Sequence, residues 1–169
     1  MSEATSESDA MAPRMPPELR AAIVASAREW LDVPWRHQGR RREAGIDCIG
    51  LLVCAVRGAG LEIDDVADYS RNPNPHELLR ELSKYAQRVS VPREMFEPTH
   101  ADPFAIAAAK PGDVLVFWSG APHLPRHVGF RTDVGVIHTW LEIGHVVEHA
   151  FDDDWTRRLH SVWRLKATI

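Results

Sequence analysis

At Lys110-Pro111-Gly112-Asp113 the spacing of apolar residues changes from that of helices to that of strands. Ahead of this point, Leu19, Ala22, Ile23, Ala25, Ala27, Trp30 and Leu31 recur near helical spacing. They predict a first helix from Pro16 to about Leu31, entered through prolines that a first turn tolerates and closed by Pro34. The polar stretch that follows, through Gly45, reads as a long irregular loop. Asp47 is then a good N-cap for the apolar run Cys48 to Val56, and Gly58 and Gly60 are stop signals, so a second helix opens at Cys48. Residues 64–74 carry turn formers, and PHELLRELSKY (75–85) returns to helical spacing as a surface helix. Prolines break 92–112, which holds one short Ala-rich turn of helix. Behind Asp113 come VLVFW (114–118), HVGFR (127–131), GVIHTW (135–140) and HVVEHAF (145–151), with SVWRL (161–165) as a fifth β-rich run. Helices first and an antiparallel meander of about five strands second define an α+β domain, with the helices packed on one sheet face.

Composition narrows what such a domain does. The chain has 169 residues, 44% hydrophobic and 26% charged, with a net charge of −4. One domain of this size buries roughly 70% of its unfolded surface. The charge balance excludes indiscriminate nucleic-acid binding, which needs a surplus of phosphate-neutralising side chains. No run approaches the roughly eighteen apolar residues that a membrane span needs. The N-terminal segment is acidic and Ser-rich, without the apolar core of a secretory signal. Residues 1–15 therefore read as a flexible arm ahead of a single domain over 16–169, in a protein made in the cytoplasm. Two cysteines, Cys48 and Cys54, cannot build a disulfide scaffold.

Cys48 has the position of a nucleophile. At the first turn of a helix, unpaired N–H groups and the helix dipole favour a thiolate. Such a sulfur needs a base within hydrogen-bond reach, and the base needs a third group to hold its tautomer. His127 and His138 fall on adjacent predicted strands joined by a tight turn, where they can share a face. His127 is thus the candidate base and His138 its support. Cys54, inside the apolar run, reads as core.

Five motifs in sequence carry a resemblance: PWRHQG (34–39), DCIGL (47–51), PGDVLVF (111–117), HVG (127–129) and IH (137–138). In order and spacing they resemble the NlpC-type cell-wall peptidases, papain-like cysteine enzymes. The resemblance spans most of residues 20–165. It implies a papain-like fold, Cys48 as nucleophile, His127 as general base and acid, His138 as the orienting member, and the Cys48 backbone N–H as part of an oxyanion hole. It implies hydrolysis between D-glutamate and a diamino acid in peptidoglycan stem peptides, with no cofactor and no metal. Trp35 stands where many relatives carry a tyrosine; its indole N–H can donate but not accept or ionise. Ile49 replaces a serine often found after the cysteine. The loop wording RHQG is most similar to the branch carried by tails of phages and phage-like particles, which implies tail hub or tail-tip proteins as partners. Two rival functions stand beside this one: a catalytically silent tail-tip assembly or plug protein, and an acyltransferase or deamidase on the same fold.

Other residues divide between site and scaffold. Trp35 and Trp140 are candidates to line a substrate groove, whereas Trp30, Trp118, Trp155 and Trp163 read as core or interface anchors. Arg36, His37, Arg40, Arg41 and Arg42 form a basic cluster just ahead of the cysteine that is either a solvated loop or a set of partners for the carboxylates of an acidic peptide, with Arg36 and His37 counted, beside Trp35 and Trp140, as candidate substrate-binding or oxyanion residues. The pairs His123/His127 and His145/His149 have a spacing that metal ligands use, but no HExxH or second cysteine pair accompanies them. His123 reads as a loop residue and His145/His149 as an exposed strand face. Asp113 reads as a cap of a turn or strand.

Overall fold

A computed structural model describes residues 14–71, 73–89, 103–120 and 124–167. Helix α1 (Pro17–Arg28) starts on two prolines as expected but stops three residues early. Asp32 adopts a left-handed φ of 65° and donates its N–H to the Val146 carbonyl, which turns the chain toward the sheet. The stretch expected to be irregular is instead pinned by a two-residue ladder, β1 (Arg40–Arg41) against β2 (Gly45–Ile46), and by the Ile46 N–H on the Pro34 carbonyl. Helix α2 (Cys48–Gly58) opens where predicted: the Asp47 carboxylate accepts the Gly50 N–H at 2.8 Å. Helix α3 (Pro75–Tyr85) is capped by Asn74 and leads directly into β3 (Ala86–Arg88). A short α4 (Pro103–Ala108) precedes the change of period.

The remaining elements are β4 (Val114–Ser119), β5 (Leu124–Arg131), β6 (Gly135–Trp140), β7 (His145–Ala150), α5 (Asp153–Arg158) and β8 (Leu159–Leu165). The sheet has six strands, not about five, in the order β3-β8-β4-β5-β6-β7, and every neighbouring pair is antiparallel. The extra strand is β3, paired with β8 at the edge.

The N-terminal helices α1 and α2 pack on one face as expected, and the other face is buried as well. Val114, Val116, Val128, Phe130, Ile137 and Val146 join Ile23 of α1 and Leu51, Val53 and Val56 of α2 in one core. Leu115, Phe117, Val136, Leu159 and Val162 form a second core with Ala105 of α4 and Trp155 of α5. This is why VLVFW is continuously apolar rather than alternating: both pleat faces of a central strand lie out of water. Each fully buried side chain such as Phe117 contributes roughly 1.5–3 kcal/mol relative to exposure. Residues 1–13 of the expected arm lie outside the described residues; Met15, at its end, is buried in the first core. No helix among the described residues is long and apolar enough to cross a membrane.

Candidate active site

Strands β5 and β6 hydrogen-bond only at their far end, Phe130 opposite Ile137 and Arg131 opposite Val136. Toward His127 they part, and the N-terminus of α2 meets them there. The backbone amides of Val128, Ile49 and Cys48 lie near enough to the Cys48 thiol to favour its ionised form. Cys48 and His127 line one cleft of about 260 Å³.

The expected anion at Cys48 is not what this geometry produces. Withdrawal from solvent and the neighbouring Asp47 carboxylate push the thiol up to about 12, outweighing the three amides that favour its ionised form. After burial, the second cause is the cap. Asp47 places a negative charge against the same helix start whose dipole stabilises the sulfur, and it is held there by the Gln38 N–H (2.6 Å), the Tyr69 hydroxyl (2.8 and 2.9 Å) and Arg40 (3.3 Å). Burial, followed by the Arg158 guanidinium, lowers His127 to about 4. Both shifts favour a neutral thiol and a neutral imidazole in the resting cleft.

Behind His127 lies a row of rings. His127 Nε2 is 2.8 Å from His138 Nδ1, and His138 Nε2 is 2.9 Å from His149 Nε2. Register explains the row. Beyond the last ladder pair, Phe130 and Ile137, Gly129 still lies against His138, so His127 is the diagonal neighbour of His138 on the same face. His138 pairs with Val147, which makes His149 the next diagonal neighbour. Gly129 is what lets the rings meet: a Cβ there would lie 2.8 Å from the Ile137 carbonyl oxygen and 2.9 Å from the His138 Cβ. His138 is fully buried, and desolvation, reinforced by His127 and His149, keeps it neutral far below the usual imidazole range. Trp155 covers all three, with ring centroids 6.0, 4.4 and 5.4 Å from His127, His138 and His149.

The expectation for His145 and His149 as an exposed strand face is therefore corrected for His149. A signal was present: a four-residue turn at 141–144 sets Trp140 opposite His145 and so aligns His149 with His138. His123 lies outside the described residues. Cys54 is half-buried and packs against the first core.

Trp35, His37 and Trp140 line the cleft, but Arg36 is exposed and does not. The rest of the basic cluster is spent on structure. Arg40 pairs with Asp65 and Asp47, Arg41 with Glu43, and Arg42 with Glu29 while lying 5.1 Å over Trp30. The cations that do reach the cleft are Arg71, Arg126 and Arg158, which sequence reasoning missed because they come from three separate segments. Trp118 also lines it, and its Nε1 and the Arg126 Nε are buried donors with no protein partner among the described residues. Trp155 and Trp163 are buried as expected, and Trp30 packs on the core. Asp113 is wholly buried, a charge centre rather than a mere cap: it binds Arg164 at 3.1 and 3.0 Å and Arg20 at 3.0 Å. Among the described residues no group of three potential ligands is placed to hold a metal ion.

Solved NlpC/P60 domains share this α+β arrangement, and this chain has their papain-like fold. It superposes with a TM-score of 0.58 and 17% identity on an NLP/P60-family lipoprotein-like protein of Staphylococcus aureus, over 92% of this chain and 44% of that one. It matches the NlpC/p60 domain of the peptidoglycan hydrolase SagA with a TM-score of 0.55 and 20% identity, over 86% of this chain and 98% of that domain. NlpC1 of Trichomonas vaginalis gives a TM-score of 0.56 and 15% identity, covering 90% and 47% of the two chains. In sequence the chain is a distant homologue of the tail tip assembly protein K of Escherichia phage lambda, 29% identical over 130 residues. That match covers 76% of this chain and 59% of the relative, so the chain spans less than two thirds of that protein's length. No family model matches.

Proposed function

We propose that this chain is a cysteine peptidase that hydrolyses peptidoglycan stem peptides at a D-glutamyl–diamino acid bond as part of a phage or phage-like tail. The observation that carries the reading is that Cys48 and His127 line one cleft, with His127 hydrogen-bonded into the histidine row behind it. The peptidoglycan hydrolase among the structural neighbours and the tail tip homologue support the substrate and the setting.

The chemistry follows from the resting state. Cys48 Sγ attacks the scissile carbonyl carbon while its proton passes to His127, so the thiolate exists only as it reacts. In this reading the oxyanion accepts from the Cys48 backbone N–H, with the Trp35 indole N–H as second donor. The C–N bond breaks as His127 returns its proton to the departing amine, leaving a thioester. A water then attacks the thioester, His127 takes its proton, and the C–S bond breaks to release the acid and restore the thiol. Arg71, Arg126 and Arg158, with the unpartnered Trp118 and Arg126 donors, suit an acyl peptide rich in carboxylates and carbonyls.

The name of the lambda homologue favours one rival, an assembly protein that no longer cleaves. Incubation of the purified protein with peptidoglycan, followed by mass analysis of released peptides, separates the two. The peptidase reading expects new N-terminal diamino acids with the wild type and none with Cys48→Ala. Equal, background-level release from both establishes the assembly role.

A further inference from the structure

The histidine row has a direction, and one end of it is fixed. His149 Nδ1 lies 2.8 Å from the carbonyl oxygen of Ala150, an atom that only accepts. Nδ1 therefore carries the His149 proton, and in the neutral ring Nε2 is a lone pair. The His138 Nε2 at 2.9 Å must then be the donor, which leaves His138 Nδ1 as a lone pair. That nitrogen in turn takes the proton of His127 Nε2 at 2.8 Å. The nitrogen left over is His127 Nδ1, without a proton. The opposite direction sets two lone pairs against each other at His149 and Ala150, 2.8 Å apart, and gives up the hydrogen bond at this exposed end of the row.

We infer that His149, anchored by the Ala150 carbonyl, is a positioning residue that fixes the tautomers of His138 and His127, so that His127 presents an unprotonated Nδ1 to the Cys48 thiol. A neutral imidazole has two tautomers of similar energy, and only the one with Nε2–H is a base toward a group at Nδ1. A backbone carbonyl at the end of the row cannot titrate, so it sets this choice at any pH at which the three rings are neutral. His138 alone does not, because the Thr139 carbonyl also interacts with its ring and competes for its proton. His149 removes that alternative by claiming the His138 proton for Nε2. The inference rests on the peptidase reading for its purpose, although the tautomers themselves do not depend on it.

The test is long-range 1H–15N correlation on the 15N-labelled full chain, which reports which ring nitrogen of His127 is protonated, read beside turnover of stem peptide. The wild type is expected to show His127 protonated on Nε2 only; a proton on Nδ1 overturns the inference without any variant. In His149→Gln the carboxamide oxygen can still accept from His138, and the tautomer and kcat should stay within about threefold of wild type. His149→Leu removes the acceptor, and His127 should become a mixture of tautomers with kcat down about tenfold and KM unchanged. A Leu variant with an unmixed tautomer and full kcat overturns the inference, as does a Gln variant no better than Leu. A chain that shows the expected tautomers and their loss in His149→Leu but never cleaves refutes the peptidase reading and leaves the relay standing. A chain that cleaves through Cys48 but is indifferent to His149 does the reverse.

Discussion

The protonation of Cys48 and His127 is set by how deeply the fold withdraws them from solvent and by where it places Asp47 and Arg158. The local signatures that single out the two residues, an N-capped apolar helix and an HVG strand, carry nothing of that environment. The consequence is a pH profile. An imidazole accepts the Cys48 proton only when neutral, and His127, lowered from 6.5 to about 4 by burial and then Arg158, is neutral above that value. Activity should therefore rise through an acid limb centred near pH 4 rather than 6.5, and these apparent values belong to the pair. With the thiol pushed up to about 12, Cys48 gives no alkaline limb below pH 10. Arg158→Gln removes a cation that disfavours the imidazolium, so its acid limb should move toward neutrality; a limb unmoved by this change, in a kcat/KM profile, removes Arg158 from the account. Stability has the same sign. Below pH 6.5 the unfolded chain binds protons that the folded chain, with its imidazoles held neutral, refuses, so stability falls as the pH drops from 6.5 toward 4.

Elements were readable in proportion to their periodicity. Helix α3 and strand β6 stand at the residues the pattern gave, 75–85 and 135–140, because one is amphipathic over three turns and the other is bounded by turn formers on both sides. Strand β3 (AQR) has no alternation and exists only because β8 offers it an edge. Helix α5 is six residues of mostly charged sequence with one buried tryptophan, too short for any period to show, yet it supplies the lid over the histidines. The parting of β5 and β6 is likewise a property of two strands together, and Gly129 is its most sensitive point. A methyl group at Gly129 meets main chain on one side and the His138 Cβ on the other, neither of which is a flexible side-chain end. Gly129→Ala should lower stability by about 1–3 kcal/mol and displace His138, reducing kcat more than it changes KM. Urea unfolding and steady-state kinetics check both, and a variant with a wild-type midpoint and kcat shows that the strands can separate further at no consequence.

At the scale of the molecule, helices and meander are tied together by a charge that reads in sequence as a turn residue. Asp113 closes the turn ahead of β4, accepting the Lys110 N–H at 2.9 Å, while its carboxylate joins Arg20 of α1 to Arg164 of β8. The sequence predicts the turn because Pro111 and Gly112 are local; the two arginines, 93 and 51 residues away, belong to the folded arrangement alone. A buried pair of this kind adds little over an apolar replacement, since desolvation offsets attraction, but removal of one partner strands the other. Asp113→Ala leaves the Arg164 guanidinium, 5% exposed, with no counter-charge, and should destabilise the chain by about 3–5 kcal/mol. Asp113→Asn keeps the turn's acceptor and removes only the charge, so its loss should be smaller. Because Asp113 does not line the cleft, the fraction that remains folded should retain the wild-type kcat. Denaturant midpoints at constant slope measure the first effect, and a loss under 1 kcal/mol for Asp113→Ala would mean that α1 and β8 are held by their apolar faces, with the charges only filling the seam.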